Sequence, residues 1–147
     1  NAQINSSNVG FHSLSKYKNI DSLSINATEL RHEMREREGD VVKLGIKLKK
    51  LLNVKNLTIT QGQSGAILIN KNNKVFRAPA FANKVLDKIG AGDTLLALLS
   101  MSLKSDFNEN EALFLSSIAA GISTSKYANS QSINKFEILN HIKYYLK

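Results

Sequence analysis

Apolar and polar residues follow two different periods along this chain, and the changes of period mark its elements. Asp21-Ser22-Leu23-Ser24-Ile25 alternates polar with apolar, as a half-buried strand does. Leu57-Thr58-Ile59-Thr60 is a second predicted strand, followed by a glycine-broken turn. Ala66–Ile69 and Lys74–Arg77 predict two more, joined through Asn72-Asn73, which tolerates left-handed turn geometry, and closed by Pro79. Helical spacing occupies the rest. Phe11 to Tyr17 predicts a short helix with Phe11 and Leu14 on one face, after an irregular Asn- and Ser-rich start over residues 1–10. Asn26 begins a helix containing Leu30 and Met34 that ends near Gly39. Asp40 caps the next, whose apolar stripe is Val41, Leu44, Leu48, Leu51 and Leu52. Later helices run from about Gly92 to Leu103, Glu109 to Tyr127 and Lys135 to Leu146. This order predicts an α/β sandwich with helices covering a largely parallel sheet. In such sheets ligands gather at the carboxyl ends of the strands.

Composition narrows the field. The 147 residues suit one domain, and 42% hydrophobic content is ordinary for a globular chain. No apolar run has membrane-spanning length and no signal-peptide pattern opens the chain. Without cysteine there is neither a disulfide framework nor a thiolate metal site, which points to a reducing cytoplasm. His12, His32 and His141 lack ligand spacing. The net charge of +8 raises nucleic acid as a partner. Yet sixteen of the twenty basic residues are lysines spread along the chain, with no Arg-rich tract and no basic–aromatic alternation. Lys43, Lys47 and Lys50 fall on the outer face of a predicted helix. Neither nucleic acid nor membrane is expected, and attraction to a phosphorylated small molecule accounts for the charge equally well.

The candidate chemistry centres on Asp87-Lys88-Ile89-Gly90-Ala91-Gly92-Asp93, which opens directly into the apolar run Thr94–Leu99. A small-residue turn at a helix start exposes backbone N–H groups that suit an anion. Asp93 in the same first turn is placed to take a proton from an attacking hydroxyl. Plain helix capping explains the same residues. Asn26-Ala27-Thr28-Glu29 likewise reads as a capping box or as a metal-facing pair. Thr60-Gln61-Gly62-Gln63-Ser64-Gly65 reads as a turn between strands or as a phosphate-approaching loop, with Gly65 conformational. The small-residue run from Ser116 to Ile122 reads first as close helix packing.

The Asp-x-x-Gly-Ala-Gly-Asp-Thr stretch resembles the C-terminal signature of the PfkB-type (ribokinase-like) carbohydrate kinases. That resemblance implies the C-terminal portion of a ribokinase-like three-layer α/β sandwich. It implies ATP-dependent phosphorylation of a sugar or sugar-phosphate hydroxyl. Asp93 takes the role of catalytic base, and the Gly90, Ala91 and Gly92 amides form the anion hole. Lys88 and Ile89 stand where family members often carry Thr. By the same resemblance Asn26 and Glu29 organise Mg²⁺, partly through water, while Thr60 and Gly62 approach the nucleotide phosphates or ribose. The helix with Ser117 and Gly121 walls the adenine pocket, with Ser117 replacing the usual Asn. K⁺ is implied beside Asp87 and Ile89 and the loop near Ala128. Ala119-Ala120-Gly121-Ile122 with Lys126 is similar to the heptose-phosphate kinases of lipopolysaccharide precursor synthesis.

Residues 1–147 thus correspond to the ATP-binding and catalytic portion alone. The sugar pocket and its lid belong to a missing N-terminal half, so the fragment is expected to be inactive by itself. Related kinases often dimerise through their lids, which makes a homodimer an expectation here. The alternative is a nucleotide-binding or interaction module that keeps the fold without catalysis.

Overall fold

Residues 13–82, 85–127 and 132–147 are described by the structure, a computed structural model. The expected irregular start and the Phe11 end of the first helix lie outside them. A short 3-10 turn, Leu14–Lys16, precedes β1 (Ser22–Asn26), α1 (Ala27–Met34) and α2 (Val41–Leu52). Then come β2 (Asn56–Thr60), a turn at Gly62–Ser64, β3 (Ala66–Ile69) and β4 (Val75–Ala78). The chain closes with α3 (Ala91–Lys104), α4 (Glu109–Thr124) and α5 (Lys135–Tyr145).

The strands form one sheet in the order β1-β2-β3-β4. Only β1 and β2 are parallel; β2–β3 and β3–β4 pair antiparallel. This corrects the expectation of a largely parallel sheet. A parallel crossover needs about a dozen residues or more. The links over residues 61–65 and 70–74 are far shorter, so these strands turn back on themselves. At the second link Asn73 takes a left-handed conformation (φ 61°). Asn70 Oδ1 accepts from the Asn72 and Lys74 amides, both at 3.0 Å, and closes the hairpin.

Both faces of the sheet are covered. Ile67 and Ile69 join Leu23, Ile25, Leu57 and Ile59 in a core beneath α1 and α2. The alternate β3 residues, Ala66 and Leu68, join Phe76, Ala78, Leu95, Leu99 and Leu113 under α3 and α4. The period of two along β3 therefore builds the three layers. α2 approaches the sheet through Gly45, where a Cβ would lie 2.7 Å from Ile59 Cδ1. Leu44, Leu48 and Leu52 are buried as the stripe predicts, but Leu51 is 62% exposed. Helical positions rotate by about 100° per residue, and Leu51 falls on the solvent flank of the stripe. Lys49 takes the buried place instead, donating through Nζ to the Asn70 carbonyl. Burial holds its pKa below the ordinary lysine value. Asn70 Nδ2 also donates to Glu109 Oε1 at 2.6 Å, linking the β3–β4 turn to the start of α4.

Truncating Leu48 to Ala is expected to cost about 2–5 kcal/mol in denaturant unfolding, while Leu51→Ala changes stability by less than about 0.5 kcal/mol. Glu109 provides a pH test. Its hydrogen bond from Asn70, then one from backbone, holds its pKa below the usual 4.5. With the folded value depressed, this stabilisation is present above the ordinary range and is lost as pH falls through the lower folded value. Melting curves should show the stability gap between wild type and Glu109→Gln narrowing as the solution is acidified below that range.

Candidate active site

The parallel register sets Asn26 of β1 beside Thr60 of β2. Thr60 in turn faces Ala66, and Ala66 faces Ala78. These positions make one row across an end of the sheet, the carboxyl end of β1, β2 and β4. Three chain segments leave or enter there: α1, the Gly62–Ser64 turn, and the stretch leading to α3.

At the first, Asn26 Oδ1 accepts from the Glu29 amide at 2.8 Å and Glu29 Oε2 accepts from the Asn26 amide at 2.9 Å. That is a complete capping box. The same box forms at Asn108–Glu111 and Asn134–Glu137, so capping alone accounts for the motif. The first box differs in its place in the row and in Glu29, which is only 9% exposed. Among the described residues no three His, Cys, Asp or Glu side chains cluster. A metal near Glu29 would therefore take its remaining ligands from phosphate oxygens and water, which suits Mg²⁺.

At the turn after β2, Gly62 has φ +58° and open space within 4 Å of where a Cβ would sit. Gly65 has φ +85°, and its Cβ would lie 2.0 Å from the Ala78 carbonyl oxygen. Gly65 is thus conformational, as expected, while Gly62 leaves the loop face clear.

The third segment is anchored to α4. Leu86 and Asp87 donate their amides to the Thr124 carbonyl at 2.8 and 3.1 Å. Asp87 Oδ1 accepts from the Ile89 amide at 2.9 Å and shapes the approach to Gly90. Gly90 is the α3 N-cap with φ 80° and supplies no side-chain cap. The Ala91 amide reaches back to the Lys88 carbonyl at 3.4 Å, and the Thr94 amide donates to Gly90 at 2.9 Å. Asp93 lies in the first turn, on the exposed side. On α4, a Cβ at Gly121 would approach the Phe81 carbonyl carbon to 2.9 Å, so backbone packing occupies that glycine. Ser117, one turn earlier on the same helix face, is 6% exposed, and its Oγ has no hydrogen-bond partner among the described residues.

Asn26 and Thr60 are therefore neighbours, and the Gly90–Asp93 turn is tied to the helix that carries Ser117 and Gly121. Ala128 lies outside the described residues. The Thr124 anchor escaped the sequence reading because a backbone carbonyl leaves no compositional signal. Substituting Gly65 by Ala is expected to lower unfolding stability by more than about 2 kcal/mol, against about 1–2 kcal/mol for Gly62→Ala, which meets backbone strain without a clash.

Residues 11–135 match the pfkB family of carbohydrate kinases. The chain is 30% identical over 129 residues to the bifunctional protein HldE of Histophilus somni, covering 86% of this chain and 27% of that one. With HldE of Magnetococcus marinus it shares 34% identity over 114 residues, 76% of this chain and 23% of the relative. A ribokinase from Thermotoga maritima superposes with a TM-score of 0.72 at 29% identity, over 84% of this chain and 42% of that structure. Arabidopsis thaliana ribokinase, solved with ribose and ATP, gives 0.75 at 25% identity, over 84% and 41%. The chain spans about a quarter of the curated relatives and about two fifths of the solved ones.

Proposed function

The chain belongs to the pfkB family of carbohydrate kinases, and on that footing we propose that it carries the nucleotide-binding and phosphoryl-transfer end of an ATP-dependent sugar kinase. One observation carries the reading: Asn26, Thr60 and the outlet of β4 share one end of the sheet, and Thr124 pins the approach to the α3 N-terminus on the same side.

Asp93 accepts the proton of a sugar hydroxyl as its oxygen bonds to the γ-phosphorus and the bond to the β-phosphate oxygen breaks. Amides of Gly90, Ala91 and Gly92, at the positive end of α3, stabilise charge on the transferring oxygens. Glu29, held by Asn26, is the residue that would hold Mg²⁺ through water, and the ion would supply charge neutralisation to the phosphates. Thr60 and Gly62 border the phosphates or ribose, and the α4 segment with Ser117 borders the base, while Gly121 is taken up by packing against Phe81. K⁺ beside the carbonyls of Asp87 and Ile89 belongs to the same proposal.

The acceptor is a sugar or sugar phosphate, heptose phosphate being the member suggested by the likeness to HldE. Its pocket lies in a further portion of the kinase. One feature supports such a portion. β1 pairs with β2 alone among the described residues. In the cytoplasm, the setting expected of it, the complete kinase would be the active species.

In a polypeptide carrying both portions, Asp93→Asn should lower kcat by ~10²–10⁴ while calorimetry with Mg-ATP finds nucleotide affinity unchanged. Lost binding with turnover preserved per bound complex would overturn the assignment. Nucleotide binding by the wild type without sugar phosphorylation would replace it with the non-catalytic module.

A further inference from the structure

Three of the four arginines of this chain, interspersed with glutamates over residues 31–37, border one cleft. The cleft, about 500 Å³, is lined by Thr28, Arg31, His32, Arg35, Glu36 and Arg37. Thr28, Arg31, His32 and Arg35 follow the i, i+3, i+4, i+7 spacing of one helix face. Arg35 ends α1 in a left-handed conformation (φ 53°), which turns the chain so that Glu36 and Arg37 border the same space.

Three of the four glutamates of this segment are engaged with other groups, and the fourth, Glu38, is exposed. Glu29 closes its capping box. Glu33 Oε1 accepts from the Leu14 amide at 3.1 Å and from the Ser13 hydroxyl. Glu36 Oε1 pairs with Lys47 at 3.0 Å. Among the described residues no arginine forms an ion pair with a carboxylate. Arg31 is held in place by donating from Nη2 to the Gly39 carbonyl at 3.0 Å. Its Nη1 is buried and has no acceptor among the described residues. A buried guanidinium donor left unmet is costly, and a charged oxygen is the partner that relieves it best.

We propose that this cleft binds a phosphate ester, its phosphoryl group held by Arg31, Arg35 and Arg37 with the Thr28 hydroxyl as a further donor. Guanidinium groups match phosphate oxygens geometrically, and a tetrahedral dianion can be shared among several of them. The volume exceeds that of a bare phosphate and falls in the range that admits an attached small-molecule body. A sugar phosphate and a nucleotide present the same group. The site shares no residue with the candidate catalytic set, so it stands or falls independently of phosphoryl transfer.

The test is an NMR titration of the 147-residue chain with inorganic phosphate, glucose 6-phosphate, metal-free ATP, and glucose as the uncharged control. Saturable shifts at amides of residues 28–37 are expected with the phosphorylated probes and not with glucose, and any shifts that ATP causes at Thr60, Gly62 or residues 90–93 are fitted separately as nucleotide-site binding. Arg35→Gln combined with Arg37→Gln, both exposed positions, should weaken binding at least about tenfold. Arg77→Gln on β4 should leave it unchanged. Tighter binding of glucose 6-phosphate or of ATP identifies the source of the phosphoryl group, and equal affinities leave the group itself as the ligand. Absence of saturable shifts, or identical titrations in the double variant, overturns the proposal.

Discussion

The outlet of β4 is closed in by backbone on two sides, and the geometry of the candidate site depends on it. Gly65 lets the turn after β2 press onto the Ala78 carbonyl, and Gly121 lets α4 press onto Phe81 and Ala82. Any side chain at either position meets backbone, which cannot rotate aside as a flexible side chain can. Between these contacts the chain leaves the sheet in a set direction. Farther on, Thr124 captures Leu86 and Asp87, and Gly90 starts α3 in a conformation that glycine adopts without penalty. Tyr145 reinforces the arrangement from α5, its hydroxyl donating to the Phe81 carbonyl at 2.8 Å. The phosphoryl-transfer reading uses the end of a helix whose position is set by these small residues.

Much of this was legible in the residues. Helix starts were readable because Asn26, Asp40 and the Glu109 region carry capping chemistry, and the five α-helices begin within a residue or two of their expected starts. The expected Phe11–Tyr17 helix, by contrast, is among the described residues only the 3-10 turn Leu14–Lys16. The row of strand ends was foreshadowed by motifs placed just after Ile25 and at Thr60. Strand direction was harder, since periodicity is blind to it. Only the shortness of residues 61–65 and 70–74, set against what a crossover requires, decides between parallel and antiparallel.

Other features had no local signature. Lys49 looks like any solvated helix lysine until α2 is laid on the sheet and the Asn70 carbonyl arrives beside it. The recurrence of Asn-x-x-Glu at three helix starts shows how a functional-looking motif and a folding motif share one spelling. Position at the sheet end, not composition, separates the first from the others. The arginines taught the opposite lesson: their helical spacing was in the sequence, but the dispersal of lysines hid it, and only the commitments of Glu29, Glu33 and Glu36 reveal what is left uncompensated.

The outer side of β1 carries a further implication for how such a polypeptide reaches its working form. Main-chain donors and acceptors along residues 22–26 face outward with no neighbouring strand among the described residues. A border of this kind accepts whichever extended segment arrives first. Correct assembly and clumping of identical copies then become rival outcomes of a single encounter, and concentration and timing during synthesis choose between them.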